Sequence, residues 1–561
     1  MKVTDYMIKF LVQHQVTDIY GYPGGCINHL IDSAFKNENI EAHLVYNEQG
    51  AAFSACGYAQ KSNKLGVAYA TSGPGATNLI TGIASAYFDS IPVLFITGQV
   101  DSPTKKGDMK LRQRGFQETD VISCVKEITK WAYQISSAEE IKYCLEKAYY
   151  VAFEGNPGPV VLDIPNDLQR MDVDIDRLNG FMETVERKTV NESDIDHIAE
   201  SIKNARRPVI LVGNGVKQNK LNNQLIALAE KTDIPVVSSM TAFDLLPYNH
   251  ALNYGFIGTN GHRYANFITK KSDLVLVLGN RMSIRSLGMK RELFAPNAKI
   301  IRVDVDKEQL NYKVRDDQVE VAADLREALP KLIDKCDRKK NSEWILVCKS
   351  IRDKLKNIDK AYPNEIISKI SEIVPDTYDI SADIGQNLVW LAQSYKMKEG
   401  QTVCMSAGNG PMGYSIPSAI GSFHASGRPV ISFCGDGGFM MNIQELQLIK
   451  REHIPNKVIV LNNSSLGMIR SWQARYMDQY SQTTCDSGYN APDFEKISDG
   501  FDLKYTLIKC KEDLEYFSFE EDKPELIEVI IPTEVETEPN GNMHDQSPQI
   551  ERDLYTEIME M

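Results

Sequence analysis

A carboxylate and an amide follow two predicted strands near the carboxyl end of the chain. Asp436 follows the apolar run at residues 428–434 after one glycine, and Asn463 follows the apolar run at residues 457–461 after Asn462. Both runs are typical of buried strands, and residues 442–451 between them are predicted to be helical. Ligands bind at the carboxyl ends of the strands in such a βαβ unit. A carboxylate and an amide oxygen, completed by phosphate oxygens and water, suit Mg²⁺.

Glycines surround Asp436 in the segment Gly435-Asp436-Gly437-Gly438. A turn of this composition has little side chain to obstruct a phosphate group. We therefore predict a site for Mg²⁺ and a diphosphate here. The alternative is an ordinary strand-to-helix turn in which Asp436 caps the helix.

The composition is that of an ordinary globular protein with more than one domain. The 561 residues carry a formal net charge of −14, with 42% hydrophobic and 25% charged residues. That length favours three domains of about 150–200 residues. The acidic balance argues against nucleic acid or an anionic membrane as partner. The ten cysteines form no C-x-x-C pair, and no signal peptide or membrane span is evident, so we expect a cytoplasmic protein.

Three blocks of alternating strands and helices predict an α/β protein in which each domain has a parallel sheet flanked by helices. We place the domains at residues 1–170, 190–335 and 358–531, followed by a tail at 532–561 that looks irregular. Residues from 185 onward are expected to form one linker, and the charged residues 334–356 another. Strands are predicted at residues 19–20, 42–46, 65–70, 92–96 and 159–164 in the first block, and at 209–212, 235–238, 274–278 and 299–303 in the second.

Glu48 stands between a predicted strand and a predicted helix, in Asn47-Glu48-Gln49-Gly50-Ala51. A carboxylate at this position is usually a favourable charge at a helix N-terminus. The turn at Asp436, together with Asn463, resembles the signature of the thiamine diphosphate enzymes. That resemblance implies a second interpretation, in which Glu48 binds the aminopyrimidine ring of the cofactor. The family usually has His where this chain has Asn47.

Nine further segments of the chain form a series of short motifs, most of which contain glycine: Gly21-Tyr22-Pro23-Gly24-Gly25, Thr71-Ser72-Gly73-Pro74-Gly75-Ala76-Thr77-Asn78, Ile96-Thr97-Gly98-Gln99-Val100, Phe116-Gln117-Glu118, Pro157-Gly158-Pro159-Val160, Asp163-Ile164-Pro165, Asp383-Ile384-Gly385-Gln386, Gly410-Pro411-Met412-Gly413 and Leu466-Gly467-Met468-Ile469-Arg470-Ser471-Trp472-Gln473. Through these segments the chain resembles the acetohydroxyacid (acetolactate) synthases over nearly its whole length. Each glycine turn alone is weak evidence, but their order and spacing together are specific.

The resemblance implies roles for matching residues. Catalytic roles fall to Glu48, to Gly25 through its backbone N–H, and to Gln117. The metal ligands would be Asp436, Asn463 and the carbonyl of Ser465. Cofactor-binding residues would be Glu48, Pro23, Thr71, Gly73, Asn78, Gln386, Gly410, Met412, Gly435, Asp436, Gly437, Gly438, Asn463, Leu466, Gly467 and Met468. Phe116, Gln117 and Trp472 would line the substrate pocket.

The implied reaction decarboxylates a 2-oxo acid, pyruvate by preference, and adds the two-carbon unit to a second 2-oxo acid. None of the nine histidines adjoins Glu48 or Asp436 in the sequence, so the chain lacks the His-His pair of the pyruvate decarboxylases. A site poor in proton donors favours ligation over release of an aldehyde. The resemblance also implies a homodimer or homotetramer with each active site between two subunits.

The family binds FAD across its middle domain, and part of that pattern is present. The candidate FAD residues are Gly213, Gly215, Arg281, Arg285 and Asp304. Other expected residues are changed, with Asn156 in place of Arg, Thr259-Asn260 in place of Met-His, and Ile284 in place of an acid. FAD is therefore a possible cofactor beside thiamine diphosphate and Mg²⁺.

The acceptor side also departs from the family. The Lys that usually follows Ile-Pro is Asn166, and the tail reads Glu536-Thr537-Glu538-Pro539 and later Asp545-Gln546-Ser547-Pro548. These changes leave two other enzymes open. One transfers the two-carbon unit to another ketone, such as a nucleotide-linked keto-sugar, and the other is a simple 2-oxo acid decarboxylase. A silent relative is disfavoured because Glu48, Asp436 and Asn463 are all present.

Overall fold

The structure is a computed structural model that describes residues 1–182, 190–519, 523–539, 550 and 552–561. The linker expected from residue 185 onward, and the tail segments at 541 and 545–548, lie outside the described residues. The described chain forms three parallel sheets, each of six strands and each flanked by helices. The predicted fold class is confirmed.

The first sheet has the strand order β2-β1-β3-β4-β6-β5. Its strands are β1 (Asp18–Gly21), β2 (Glu41–Leu44), β3 (Gly66–Ala70), β4 (Val93–Gln99), β5 (Trp131–Gln134) and β6 (Val160–Pro165). Its helices are α1 (Val3–Gln13), α2 (Asn28–Phe35), α3 (Glu48–Ser62), α4 (Pro74–Asn78), α5 (Ile80–Phe88), α6 (Val121–Val125), α7 (Ile141–Phe153) and α8 (Asn166–Gln169).

The central sheet has the order β12-β11-β10-β7-β8-β9. Its strands are β7 (Pro208–Val212), β8 (Val236–Ser238), β9 (Asn253–Phe256), β10 (Leu274–Leu278), β11 (Lys299–Asp304) and β12 (Val319–Ala322). Its helices are α9 (Glu192–Asn204), α10 (Asn214–Gln218), α11 (Asn222–Thr232), α12 (Arg263–Lys271), α13 (Ile284–Leu287), α14 (Lys307–Asn311), α15 (Leu325–Lys335) and α16 (Ser342–Leu355).

The third sheet has the order β14-β13-β15-β16-β18-β17. Its strands are β13 (Asp379–Ala382), β14 (Val403–Met405), β15 (Val430–Gly435), β16 (Lys457–Asn462), β17 (Lys504–Ile508) and β18 (Glu525–Ile530). The helices are α17 (Tyr362–Ile373), α18 (Gln386–Ser394), α19 (Ser415–Ser426), α20 (Asp436–Met441), α21 (Leu446–Arg451), α22 (Gly467–Tyr476), α23 (Phe494–Gly500) and, in the tail, α24 (Arg552–Glu560).

The strand orders divide the domains into two kinds. Counted within each domain, the first and third sheets share the order 2-1-3-4-6-5. The central sheet has the order 3-2-1-4-5-6, which is common in dinucleotide-binding folds. In that order the crevice for a ligand lies between strands 1 and 4, here β7 and β10.

The sequence pattern locates the central strands better than the edge strands. β4, β7 and β10 are buried along their whole length and coincide closely with predicted apolar runs. The edge strand β5 is half-buried at every residue and was not predicted. The edge strands β9 and β12 alternate buried with less buried residues and were also missed. An edge strand buries less apolar surface, so its pattern is weaker.

Two segments are more regular than the sequence suggests. The charged connection at 334–356 contains α16, which packs Trp344, Cys348 and Ile351 into the core of the central domain. The tail, expected to be irregular, ends in α24, whose Ile558 is buried against that core. Both helices are amphipathic, and their many charges face away from the core.

The first and third domains pack closely through α3 and α19. A Cβ on Gly57 would lie 2.0 Å from the backbone oxygen of Ser418, and one on Gly421 would lie 1.8 Å from that of Ser54. The two glycines therefore allow the helix backbones to touch. No helix in the described part of the chain combines the length and the apolar character that a membrane span requires.

Candidate active site

The predicted metal ligands meet where β15 and β16 end side by side. Asp436 is the first residue of α20, and Asn463 lies just beyond β16. The backbone N–H of Ser465 donates to Oδ2 of Asp436 at 3.1 Å and to Oδ1 of Asn463 at 3.2 Å. The carboxylate and amide oxygens thus converge on one point. The helix α20 precedes the predicted helix over 442–451, which is present as a 3-10 turn at Ile443–Glu445 followed by α21.

The Asp436 carboxylate is buried and lacks a cationic partner among the described residues. Burial raises its pKa to about 6, although the N–H groups of Gly437 and Ser465 oppose that rise. A buried carboxylate without a positive partner favours binding of a cation. Two hard oxygen ligands with room for phosphate and water fit Mg²⁺, which is seldom enclosed by protein alone.

Glycines keep the turn at Asp436 free of side chains. A Cβ on Gly437 would lie 2.6 Å from Cδ2 of Leu466 and 3.2 Å from Cε of Met412. One on Gly438 would lie 2.8 Å from Oδ2 of Asp383. Above Gly435, by contrast, the nearest atom to such a Cβ is 3.8 Å away. The turn is tightly packed at Gly437 and Gly438 and open at Gly435, which suits the close approach of a phosphate.

Asp383 orients the loop that carries Met412. Its carboxylate accepts the backbone N–H of Gly413 at 2.8 Å and that of Ile384 at 2.8 Å. Burial raises the pKa of Asp383 to about 7. Gly410, on the same loop, has a φ of +64°. The loop therefore holds Met412 against the turn at Asp436.

The tail reaches this end of the third sheet through Glu536. Its carboxylate accepts from Arg470 at 2.6 Å and from Gln386 at 3.4 Å, and it also contacts the hydroxyl of Ser471. Gln386 in turn accepts from Asn463 at 3.3 Å. A Cβ on Gly467 would lie 2.0 Å from Oε1 of Gln386. The tail is thus linked to a metal-ligand candidate through one glutamine.

Glu48 begins α3, and its position is fixed locally. Asn47 caps the helix by accepting the N–H of Gln49 at 2.8 Å. The Glu48 carboxylate is buried and accepts from Nδ2 of Asn78 at 2.9 Å. A Cβ on Gly75 would lie 3.0 Å from its Oε1. Asn47, which replaces the usual His, therefore serves the helix start.

A second buried glutamate anchors this junction from the third domain. Glu445 accepts the backbone N–H of Tyr46 at 3.1 Å and that of Asn47 at 3.2 Å. Burial raises the pKa of Glu445 to about 7. The residues just before Glu48 are therefore attached to the domain that carries Asp436.

The predicted pocket residues lie around the turns that follow β1 and β3. Gln117 has a φ of +64°, and its Cβ would be 2.8 Å from a Cβ on Gly73. Thr71 accepts the N–H of Cys26 at 3.2 Å, next to Gly25. Gly25 and Pro23 are exposed.

Two aromatic side chains predicted to line the pocket are open to solvent in the single chain. Phe116 is 85% exposed and Trp472 is 53% exposed. Met468, four residues before Trp472 on α22, is half-buried.

All five candidate FAD residues line one cavity of about 390 Å³, whose wall is completed by residues 88–90 and 155–157 of the first domain and 407–408 of the third. It lies at the crevice between β7 and β10. Arg281 and Arg285 are exposed there, and neither is in an ion pair within the described ranges. Burial raises the pKa of Asp304. Gly213 packs against the backbone oxygen of Gly279, which a Cβ would approach to 2.3 Å, so this glycine also has a structural role.

Sequence reasoning missed several side chains of the site. The hydroxyl of Tyr489 is buried beside the Asp436 carboxylate, although it does not meet the geometry of a full hydrogen bond. Tyr489 lies in the irregular segment between α22 and α23, where no local pattern indicates a role. Glu445 and Glu536 likewise reach the site from distant segments. Asp383 could have been singled out, because it begins the segment that contains Gln386.

Comparison with known proteins gives a consistent result across all three domains. Family profiles of the thiamine pyrophosphate enzymes match the N-terminal TPP binding domain at residues 1–124, the central domain at 195–332 and the C-terminal TPP binding domain at 383–529. Each profile falls on one of the three sheets.

Curated relatives cover most of the chain. The acetolactate synthase large subunit of Lactococcus lactis subsp. lactis (strain IL1403) is 35% identical over 540 residues, which are 94% of this chain and 92% of that protein. Acetolactate synthase isozyme 2 large subunit of Escherichia coli (strain K12) is 34% identical over 525 residues, which are 92% of each chain. The chain therefore belongs to the thiamine pyrophosphate enzyme family and is a thiamine diphosphate-dependent carboligase related to the acetolactate synthase large subunits.

Proposed function

We propose that this protein is a Mg²⁺-dependent carboligase that decarboxylates pyruvate and adds the two-carbon unit to a second 2-oxo acid. The observation that carries the proposal is the convergence of Asp436 and Asn463 on the N–H of Ser465. The relatives are named acetolactate synthases, which supports the same substrate class.

In this proposal the third domain binds the metal and the diphosphate. Asp436, Asn463 and the carbonyl of Ser465 would be the protein ligands of Mg²⁺. The open space above Gly435 would admit phosphate oxygens. Met412 would pack beneath the cofactor, since it already contacts the glycine turn.

Glu48 would hold a proton at the aminopyrimidine ring. When bound, thiamine diphosphate supplies an electron sink for decarboxylation and carbon–carbon bond formation. A general acid–base group of this kind must be fixed in position. Asn78 donates to the Glu48 carboxylate, and Glu445 holds the preceding backbone, so both residues orient it.

Ligation is favoured over simple decarboxylation by the groups around the site. Among the described residues, the hydrogen bonds to Glu48 and Asp436 involve no histidine. Release of an aldehyde requires a proton donor at the reacting carbon. A site without histidine donors at these carboxylates would leave more time for a second carbonyl compound to react.

NMR of the products from ¹³C-labelled pyruvate tests this proposal. We expect the purified chain with thiamine diphosphate and Mg²⁺ to form labelled acetolactate. Acetaldehyde as the sole product would instead support a decarboxylase. Pyruvate left unconsumed would contradict pyruvate as the donor.

A second candidate is transfer to another ketone, such as a nucleotide-linked keto-sugar. The observation that favours it is the altered acceptor side. Asn166 replaces the usual Lys, and its side chain donates to Asp101 at 2.9 Å, so no cation is present at that position. Competition between such a ketone and pyruvate, measured in the same NMR assay, would distinguish the two acceptors.

We also propose FAD as a bound cofactor. The 3-2-1-4-5-6 strand order and the cavity at its crevice support a dinucleotide ligand. Arg281 and Arg285 would meet its phosphates. The absorbance spectrum of the purified chain tests this, since a bound flavin is yellow. A colourless protein that takes up no added FAD would contradict the proposal.

The remaining proposals concern assembly and location. Within one chain, the hydrogen bonds described do not join Glu48 to Asp436. A homodimer or homotetramer, with Glu48 of one subunit facing the Mg²⁺ site of another, would complete the active site. Sedimentation of the purified chain tests this, and an active monomer would contradict it.

We propose a cytoplasmic location on the basis of the unpaired cysteines.

A further inference from the structure

Residues 105–114, which we call the basic loop, differ in charge from the rest of the chain. This ten-residue stretch contains five cations and one carboxylate, whereas the whole chain has a net charge of −14. The cations are Lys105, Lys106, Lys110, Arg112 and Arg114. A local excess of positive charge in an acidic protein attracts anions to that place.

The shape of the basic loop is fixed by Glu118. This carboxylate accepts the N–H of Lys106 at 2.7 Å, that of Arg114 at 3.0 Å and that of Gly115 at 3.1 Å. These bonds and the positive charge of Lys106 lower the pKa of Glu118, against the opposing effect of burial. One side chain thus joins both ends of the loop.

Some of the cations form hydrogen bonds that stabilise the loop, and others have side chains that extend into solvent. Arg114 donates to the carbonyls of Pro103 and Lys105 at 3.0 and 3.1 Å, and Lys105 donates to Gln134 at 2.8 Å. Lys110 and Arg112 are exposed and have no ion pair in the part of the chain that the structure describes. They are therefore available to a ligand.

The residues that follow the basic loop pack against the glycine-rich turn after β3. Gln117 follows it closely and packs against Gly73, where a Cβ would lie 2.8 Å from the Gln117 side chain. Two residues beyond Gly73, Gly75 packs against Glu48, whose Oε1 would be 3.0 Å from a Cβ. Gln117 and Glu48 therefore pack against the same glycine-rich segment, residues 73–75.

We propose that the basic loop binds a phosphate or diphosphate ester on the acceptor substrate. The inference rests on the second candidate function, transfer of the two-carbon unit to another ketone, and names the class of that acceptor, since a 2-oxo acid such as pyruvate carries no phosphate ester. Lys110 and Arg112 would form charge-assisted hydrogen bonds to the phosphate oxygens. Met109 and Leu111 alternate with these cations and are 46% and 49% exposed, so they offer an apolar surface for the organic part of the ligand.

Calorimetric titration of the full chain, loaded with thiamine diphosphate and Mg²⁺, tests the proposal. The probes are uridine diphosphate and glycerol 3-phosphate, each paired with its neutral form, uridine or glycerol. We expect at least one phosphate ester to bind more tightly than its neutral form. Loss of both cations in Lys110→Gln/Arg112→Gln should weaken that binding about tenfold or more. Rising salt should weaken it as well.

The two esters distinguish the sources of the phosphate. Preference for uridine diphosphate would indicate a nucleotide-linked acceptor, and equal binding of glycerol 3-phosphate would indicate a simple phosphate ester. The control Lys9→Gln/Lys349→Gln removes the same charge from exposed lysines on α1 and α16 and should bind both esters as the wild type does. Failure of both esters to bind, or equal binding by the loop variant, would overturn the proposal.

Two further outcomes are informative. A loop variant that loses subunit association or cofactor binding would overturn the proposal, because the loop would then be a contact between copies of the chain. Acetolactate formation is measured on the same preparations. If uridine diphosphate binds as expected while pyruvate is not consumed, the proposed donor is wrong and the role of the loop stands.

Discussion

The turn at Asp436 and the basic loop would bind anions in two different ways. At the turn, the carboxylate and amide are buried and hydrogen-bonded, and the negative phosphate would be met through a metal. In the loop, Lys110 and Arg112 are exposed and carry positive charge themselves. The buried site suits a permanent cofactor, and the exposed loop suits a ligand that must enter and leave.

The two regions would also have different effects on the reaction. The turn and Glu48 would fix the chemistry, while the loop would fix the identity of the acceptor. Variants of the buried residues should therefore affect binding of the cofactor or turnover with every acceptor. Variants of the loop should affect one acceptor class.

Asp436→Ala should have the largest effect. Removing outer-shell partners of a metal commonly costs 10–100-fold in affinity, so loss of a direct ligand should weaken Mg²⁺-dependent binding of thiamine diphosphate about 100-fold or more. Quenching of tryptophan fluorescence measures that binding. The control Asp478→Ala removes an exposed carboxylate and should bind as the wild type does. Unchanged binding in Asp436→Ala would contradict the metal assignment.

Glu48→Gln should separate binding from chemistry. Loss of an acid–base group should lower kcat about 100-fold or more. Gln keeps the shape and can still contact Asn78, so thiamine diphosphate should bind within a few-fold of the wild type. Steady-state kinetics and the fluorescence assay together give both values. Full activity in this variant would show that Glu48 has no catalytic role.

Tyr489→Phe should weaken Mg²⁺-dependent cofactor binding less than Asp436→Ala does. We expect loss of a buried hydroxyl beside Asp436 to weaken Mg²⁺-dependent cofactor binding about fivefold, or ~1 kcal/mol. Tyr480→Phe, at an exposed position in the same segment, is the matched control. Identical dissociation constants for the two variants would mean that the Tyr489 hydroxyl does not support the metal site.

A buried charge network between the first and third domains should affect stability alone. His43 contacts Asp18 at 2.9 Å and Glu452 at 2.9 Å, and its ring stacks on His424 at 3.8 Å. Burial alone would lower the pKa of His43, but its hydrogen bonds to the two carboxylates outweigh that effect and raise the pKa to about 9.

The sign of the pH dependence follows from that pKa. A group whose folded pKa is raised stabilises the fold fully below its unfolded pKa of 6.5, and this contribution is lost as the pH rises through about 9. We expect the wild-type Tm to fall over this range by about 2–4 °C more than that of His43→Gln. Thermal melts at several pH values measure it. Parallel curves for the two proteins would contradict a charged His43.

Much of the fold could be predicted from the sequence because buried parallel strands carry continuous apolar runs. β7 and β10 are examples, while β5 and β12 were missed because edge strands bury less. The helix α16 was mistaken for a linker because its charged residues are as many as its buried ones, which hides the apolar face in the sequence.

The candidate site also contains residues that could be predicted from the sequence and residues that could not. Asp436 and Asn463 could be placed together because parallel strands end at one edge of a sheet. Tyr489, Glu445 and Glu536 could not, because each reaches the site from a segment whose path depends on tertiary packing. Lys110 and Arg112 were missed because a short charged stretch resembles any solvated loop until the fold shows that the residues following it pack against Gly73.

The proposed chemistry depends most on Glu48 acting on a cofactor held at the turn of Asp436. The direct measurement is deuterium exchange at the acidic carbon of the thiazolium ring of bound thiamine diphosphate, followed by ¹H NMR after acid quench. We expect the wild type to exchange this proton far faster than free cofactor does, and Glu48→Gln to exchange it at nearly the free rate. Equal exchange in the two proteins would contradict the account.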